Sequence, residues 1–446
     1  MKKILLISLL FWGSASFSSC RNEIEYDGGP LIGNEEEEEL VGDVYSRLHT
    51  EGAHIVNESG QKIILNGVNL GGWLVQEGYL LGGDASNKAQ YNIKEMLYQE
   101  GKTSEEIEEF YKSWRDNFIT KSDIEYIYSL GFNCIRLPMH YELFLTSGQR
   151  SVRNEVIWDR TKYESYCVQL EAWNAEGVLF NSDTEGFALI DKVVDWAKSK
   201  KMWVILDLHA APGGQSSEAT ITDAFFPMDF WYKTFNQDIT RKLWKVIAER
   251  YKDESTIAMF EVLNEPNAGD NTWVRDFYNR IIGDIRSTGD EHIILLNGNQ
   301  MGNNYWEMTP DKFTDNINLV YSVHRYLGVG DHSENDITDT ESDPYVCRKL
   351  GNLVNFRKAY NVPFWVGETG ENTDDVMNGN KKALESIGVG YCHWTYKRFN
   401  EEPWAALRMI RPPYLTNGSE NMAAVLENIK FNNTSVNVAT VKAVKP

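Results

Sequence analysis

The sequence predicts an α/β fold: a single (β/α)8 TIM barrel with an N-terminal β-hairpin and long loops at its carboxyl-end face. Three observations carry that expectation. Short β-branched and aromatic runs recur eight times and alternate with amphipathic helical stretches, the pattern of a parallel sheet. Nearly every run ends on a polar or aromatic residue. Two of the ends carry a glutamate, Glu265 in Leu263-Asn-Glu-Pro266 and Glu368 in Phe364-Trp-Val-Gly-Glu-Thr-Gly370. In such a barrel the carboxyl ends of the strands are where active sites are built.

The N-terminus comes first. Met1-Lys2-Lys3 followed by Ile4 to Trp12 has a charged start and an apolar stretch too short to span a bilayer. It runs into Phe17-Ser18-Ser19-Cys20, which resembles a bacterial lipoprotein signal in which Cys20 becomes the lipidated first residue. Residues 1–20 are therefore expected to be a signal peptide, and 21–44, with Glu35 to Glu39, an acidic flexible tether. The catalytic domain is expected over 45–446, lipid-anchored to the cell envelope of a Gram-negative bacterium, on its periplasmic face or its surface.

Ala53–Asn57 and Gln61–Leu65, either side of Glu58-Ser59-Gly60, read as a hairpin feeding a first strand, Gly67–Leu70. Seven more strands are expected: Asn133–Leu137, Met202–Leu208, Ile257–Leu263, His292–Asn297, Leu319–His324, Pro363–Glu368 and Gly390–Trp394. Pro266 cannot donate to a ladder and ends the third of these, Ile257–Leu263. Helical signals lie between, opened by capping chemistry at Thr103 and Thr120 and continuing over Phe187–Lys200, Phe230–Lys252, Thr272–Ser287, Tyr345–Tyr360 and Asp374–Ile387, with a closing helix over Glu420–Ile429. Residues 139–183 read as an unusually long loop after the second strand.

A formal charge of −21 excludes the electrostatic footprint of a nucleic-acid binder and suits neutral or cationic ligands. Cys134, Cys167, Cys347 and Cys392 fit neither a metal spacing nor a disulfide framework. Cys134 lies two before Arg136 and Cys392 two before Trp394, so each should face the barrel interior. With one strand between them the thiols would be roughly 9–10 Å apart, beyond the ~7 Å limit for bridging. They are expected to be free and buried.

Around the barrel the strand ends present Asn69, Arg136, His209, Asn264 and Glu265, Asn297 and Asn299, His324 and Tyr326, Glu368, and Trp394. Two carboxylic acids in such surroundings suit glycosidic-bond cleavage, which needs one carboxyl to protonate the leaving oxygen and one ionised to attack or to activate water. Arg136 can hold one acid ionised, Tyr326 can add a hydrogen bond to it, and Asn264 can bond a sugar hydroxyl. Each also has a plainer reading: Arg136 as an ion-pair partner, the histidines as core residues, Trp394 as packing.

Leu263-Asn-Glu-Pro266, Gly131-Phe-Asn-Cys-Ile-Arg-Leu-Pro138, Asp207-Leu-His209, His324-Arg-Tyr326, Val366-Gly-Glu368 and Trp394 together resemble glycoside hydrolase family 5, the cellulase-type retaining glycosidases, over about residues 53 to 400. The resemblance implies Glu265 as acid/base and Glu368 as nucleophile. Arg136, His209, Asn264, His324, Tyr326 and Trp394 would then be the supporting and substrate-binding residues. It also implies a covalent glycosyl-enzyme and no metal or other cofactor. Asn66-Gly-Val-Asn-Leu-Gly-Gly-Trp-Leu-Val75, Phe118–Asp123 and Asp207–Gln215 resemble the exo-β-1,3-glucanase branch, whereas His393–Lys397 and the 139–183 segment depart from it. The expected partner is a β-glucan or oligosaccharide, with membrane contact only through Cys20, no nucleic acid, and a monomeric chain. Phe225-Phe226 is a further candidate to line a subsite. An endo-acting enzyme of the same family, or a lipoprotein that captures glycans without cleaving them, are the alternatives. A metal-dependent hydrolase would need clustered His and Asp ligands, which the scattered histidines do not offer.

Overall fold

The chain enters the structure, a computed structural model describing residues 45–180, 183–222, 225, 228–326, 356–399, 406–415 and 421–446, through a hairpin of β1 (Leu48–Glu51) and β2 (His54–Asn57). The expected pairing of Ala53–Asn57 with Gln61–Leu65 is present but short: Val56 bridges Lys62, Asn57 N–H donates to the Gln61 carbonyl at 3.0 Å and Ile63 N–H to the Ile55 carbonyl at 2.9 Å. The longer ladder, which the sequence did not predict, joins β2 to β1, with Leu48 opposite Asn57 and Glu51 opposite His54. The reason is burial: Leu48, Ile55 and Leu65 plug the amino-terminal mouth of the barrel, where the carbonyl of Leu65 accepts a bond from Trp365 Nε1 at 2.8 Å. Tyr45 and Ser46 are tied to the same mouth by bonds to Met202, Thr256 and Trp203. The expected signal, Cys20 and the 21–44 tether lie outside the described residues.

Eight parallel strands then close on themselves: β3 (Gly67–Asn69), β4 (Cys134–His140), β5 (Trp203–Ala210), β6 (Ile257–Glu261), β7 (Ile293–Asn297), β8 (Leu319–His324), β9 (Phe364–Gly370) and β10 (Tyr391–Trp394), with β10 pairing back onto β3. All eight fall where the sequence placed them, because each is a β-branched or aromatic run buried on both faces. Outward residues such as Ile135, Leu206, Phe260, Ile294 and Val366 meet the helices. Inward residues are apolar near the floor, among them Cys134, Trp203, Ile205, Met259, Leu295 and Trp365. Two residues further along, the same inward faces turn polar, with Arg136, Asp207, Glu261, Asn297 and Ser322. The barrel is thus a hydrophobic plug below and a charged layer above.

Gly67 on β3 pairs with both Cys392 and Cys134, so the two thiols flank one strand, free and buried as expected. A Cβ at Gly67 would lie 2.6 Å from Cys134 Sγ, which is why glycine stands there.

Helices follow the strands, including Ser104–Phe118, Lys121–Ser129, Glu185–Lys198, Thr234–Tyr251, Asn271–Arg286 and Asp374–Ser386. Thr103 and Glu106 form the expected capping box. Residues 139–183 are not the loop the sequence suggested: they contain the helices Ser147–Trp158 and Tyr163–Ala175. Thr146 and Gln149 cap the first of these, and a buried charge cluster of Glu142, Lys94 and Arg153 roots the pair on the barrel. Most of the expected helix Tyr345–Tyr360 lies outside the described residues. The closing helix spans Met422–Asn428, and a further one, Val438–Val444, packs beside Asp374–Ser386. A small sheet of β11 (Lys397–Phe399), β12 (Arg408–Ile410) and β13 (Ser435–Val436) follows β10. No helix among the described residues is long and apolar enough to cross a membrane.

Candidate active site

The charged layer is organised by Arg136, whose side chain is 0% exposed. Its guanidinium reaches three carboxylates: Glu261 at 2.5 Å, Glu368 at 2.6 Å and Asp207 at 3.1 Å. It also donates to Asn69 Oδ1 at 2.9 Å and Asn264 Oδ1 at 2.8 Å. Burial works against every one of these charges, and the planar fork of arginine makes the cluster possible by meeting several acceptors at once. Burial would raise the Glu261 carboxyl, yet Arg136 and His324 outweigh it and hold it well below the usual range. Asn297 and Ser322 donate to its other oxygen.

Glu368 receives two hydrogen bonds and has the His324 ring beside it. Arg136 binds Oε1, while Tyr326 Oη–H donates to Oε2 at 2.8 Å and His324 Nδ1 lies 3.3 Å from the same oxygen. Burial again raises this carboxyl, but the charges of His324 and Arg136 prevail and keep it below an ordinary glutamate. A register slip between Val323 and His324 sets His324 opposite Glu368 rather than one residue earlier, a use of irregular pairing common beside active sites. Gly367 makes room for this: a Cβ there would lie 2.6 Å from Ser322 Oγ and 3.3 Å from His324 Nε2.

Glu265 sits just past β6 with φ +44°, a left-handed conformation that a non-glycine residue adopts at a cost. The turn is braced by Gln215, whose amide donates to the carbonyls of His209 at 2.8 Å and Asn264 at 2.9 Å. Glu265 Oε1 meets His324 Nδ1 at 2.6 Å. Burial alone would lower the His324 ring, but Glu368 and Glu265 reverse this and push it up to about 10. An oxygen of Glu265, a nitrogen of His324 and an oxygen of Glu368 all lie within 4.8 Å of one another. As a donor set the three could grip a cation, which the positive charge that the two acids favour on His324 would oppose.

His209 and Trp394 complete the set. Their rings stack at 5.5 Å and 7°, His209 Nδ1 meets Asp207 at 2.7 Å, and its Nε2 faces Glu77 at 3.5 Å. Burial opposes the charge on His209, while Asp207 and Glu77 restore it and raise the ring to about 10. Trp394 is 1% exposed, and its Nε1–H donates to Tyr79 Oη at 2.6 Å. The structure therefore brings Glu265, Glu368, Arg136, His209, Asn264, His324, Tyr326 and Trp394 to one end of the barrel. Phe225 is elsewhere: it packs against Tyr91 and Tyr163 beneath Arg153 and Arg160, and so braces the helical segment rather than lining this site. Phe226 lies outside the described residues.

The model of the family described as Cellulase (glycosyl hydrolase family 5) matches residues 91–400. The chain belongs to glycosyl hydrolase family 5. A "Glucan 1,3-beta-glucosidase" of Lachancea kluyveri is 26% identical over 78% of this chain and 85% of its own length. A "Beta-xylosidase" of Phanerodontia chrysosporium is 27% identical over 64% of this chain, which spans only 52% of that protein. A "Glucan endo-1,6-beta-glucosidase B" of Emericella nidulans is 24% identical over 64% of this chain and 67% of its own length. Among solved structures, an endogalactoceramidase superposes with TM-score 0.54 at 15% identity, covering 90% of this chain and 84% of that one, a likeness of fold.

Within this family 5 chain the structure adds residues that the sequence reading did not single out for the site. Asp207 and Glu261 share the inward face of the barrel with His209 and Met259, a period-two placement visible in their strands. Glu77 and Tyr79 follow β3, and Glu371 and Arg398 follow β9 and β10. Nothing in their local sequence says that the loops carrying them converge.

Proposed function

We propose that this protein is a retaining β-glycosidase that hydrolyses β-linked glucan or gluco-oligosaccharide through a covalent glycosyl-enzyme. One observation carries the reading: oxygens of Glu265 and Glu368 stand within 4.8 Å of each other. Retaining pairs are separated by about 5–5.5 Å, and inverting pairs by about 6.5–9.5 Å to admit a water. Glu368, held ionised by His324 and Arg136 and bonded by Tyr326, is the nucleophile. Its carboxylate attacks the anomeric carbon as the glycosidic C–O bond breaks. Glu265 delivers a proton to the departing oxygen, and His324, bonded to it at 2.6 Å, keeps a proton beside that carboxyl. In the second half, Glu265 takes a proton from water, the water oxygen attacks the anomeric carbon, and the ester to Glu368 breaks. Asn264 Nδ2, which has no partner among the described residues, is available to a hydroxyl next to the reacting carbon.

Exo action is the finer part of the proposal. The similar proteins named glucan 1,3-β-glucosidase support it. The lipid anchor at Cys20, envelope localisation and a monomeric state complete the reading. They are tested by fatty-acid labelling lost in Cys20→Ser, by fractionation, and by light scattering of protein lacking residues 1–20.

The deciding experiment is a product profile on β-1,3-, β-1,4-, β-1,6- and mixed-linkage glucans and aryl β-glycosides, beside Glu368→Gln, with the first-formed anomer read by NMR. Release of β-configured monosaccharide alone, abolished in Glu368→Gln, is expected. A ladder of oligosaccharides would make the enzyme endo-acting, and an inverted first anomer would overturn the covalent mechanism.

A further inference from the structure

Beyond the reacting pair lies a second polar group. Glu371 follows β9 directly, three residues after Glu368, in a left-handed conformation with φ +49°. Arg398 stands in β11, four residues after Trp394, with its guanidinium 5.5 Å from the centre of the Tyr79 ring. Tyr79 links them: its hydroxyl accepts from Trp394 Nε1 and bonds the Glu371 carboxyl. Loops after β9, β10 and β3, three adjacent strands, thus meet at one wall. In the ring of eight, β10 stands across the barrel from β6, which carries Glu265.

Two atoms of this wall are left over. Glu371 Oε1 and Arg398 Nε are both shut off from solvent and have no hydrogen-bond partner among the described residues. Such groups are rare in folded proteins, and leaving them unmatched is unfavourable. When Glu371 is ionised its Oε1 is an acceptor, and Arg398 Nε is a donor at any pH. A sugar hydroxyl is both, so neighbouring hydroxyls on one ring can satisfy the pair, the first donating to Glu371 and the second accepting from Arg398. The leaving group must lie beside the acid, Glu265, which leaves the opposite wall to the sugar that becomes bonded to Glu368. An anionic sugar is disfavoured there, because the carboxyls of Glu77, Glu371 and Glu368 already repel one another.

We propose that Glu371 and Arg398 are specificity-determining residues that read hydroxyls of the glycone away from its anomeric carbon and restrict that position to a neutral sugar. This rests on the glycosidase reading above and names its sugar-selecting contacts. Burial first, and then repulsion from Glu368 and Glu265, raise the Glu371 carboxyl to about 7, in keeping with a site that favours uncharged, hydrogen-bonding ligands.

The test is a cycle between protein and substrate. The aryl β-glycoside turned over fastest by the wild type is compared with its monodeoxy analogues and with the corresponding aryl uronide, using wild type, Glu371→Gln, Glu371→Ala and Arg398→Ala. In the wild type, removing the hydroxyl that Glu371 reads should lower kcat/KM by about ten- to a hundredfold. In Glu371→Ala the same removal should cost less than about threefold, and the uronide should be the poorest wild-type substrate. A purely structural role would scale all substrates alike and leave the hydroxyl penalties unchanged, which overturns the proposal. If the alanine variants do not fold, Glu371→Gln keeps the side-chain shape. A crystal structure of Glu368→Gln with a bound disaccharide then decides: a glycone hydroxyl within hydrogen-bond distance of Glu371 is expected, and a sugar out of its reach refutes the assignment. A wild type inert on every glycoside would instead sink the glycosidase reading, whereas an active wild type with a flat cycle sinks only this inference.

Discussion

Replacing Arg136 with methionine removes the one cation that Glu368, Glu261 and Asp207 share inside the barrel. The three contacts, at 2.6, 2.5 and 3.1 Å, join groups that are 0–6% exposed, so no solvent can take the place of the guanidinium. Breaking a single buried pair from one side costs about 3–5 kcal/mol. The three partners do not add independently, so that range is a floor for the loss in unfolding free energy measured by denaturant titration. Glu368 loses a charge-assisted bond as well, about 1.5–3 kcal/mol or roughly ten- to 150-fold in kcat/KM. With Arg136 gone, burial of Glu368 is opposed chiefly by His324, so its carboxyl rises and a larger share is neutral at mildly acid pH. The acid limb of the kcat/KM profile should therefore lie below 4.5 in the wild type and move upward in the variant. Arg136→Lys should restore part of the stability but little of the rate, since an ammonium cannot reproduce the five contacts of the fork. An Arg136→Met enzyme whose acid limb stays in place would refute this account of how Glu368 is kept ionised.

Other outcomes follow from the same geometry. Tyr326→Phe should lower kcat/KM by about tenfold or more and raise the acid limb, with the stability of the fold nearly unchanged, as read by paired kinetics and thermal melts. Glu265→Gln should lose turnover on substrates with poor leaving groups but still release a dinitrophenolate, and azide should then give a glycosyl azide of retained configuration; failure of both would remove Glu265 from the acid/base role. His209 and His324 are raised to about 10, so they bind protons in the fold that the unfolded chain releases near 6.5. Their contribution is full below pH 6.5 and is lost as pH rises through about 10; the midpoint of unfolding should fall across that window, and less so in His209→Asn. Cys134 and Cys392 should resist alkylation in the native state and react only after unfolding, since burial raises both thiols.

The barrel was legible because its signal is local. A run such as Ile257–Glu261 carries its strand character in its own residues, and Pro266 marks where it stops. The placement of Glu265 and Glu368 at strand ends needed only that reading and a count of eight. What stayed hidden depended on contacts distant in sequence. Glu261 reads as one more strand residue until Arg136, 125 positions earlier, is set against it. Tyr79, Glu371 and Arg398 sit in three loops whose convergence follows from barrel closure, not from any spacing. The downstream arm of the hairpin was legible from its turn, whereas β1, the other partner of His54–Asn57, was not, because burial in the barrel floor sets it there. The 139–183 segment did carry a readable sign, the Thr146 to Gln149 capping box, but its buried partners Lys94 and Arg153 are what make it a helical brace.

The β1–β2 plug also sets polarity for the whole molecule. Tyr45 and Ser46 are fastened beneath β5, at the pole opposite the catalytic loops. Anything joined ahead of residue 45, whether a resin, a fusion partner or a lipid, therefore holds the enzyme by its base. A surface joined directly at residue 45 would lie against the base of the barrel and leave the sugar-binding mouth facing away from it.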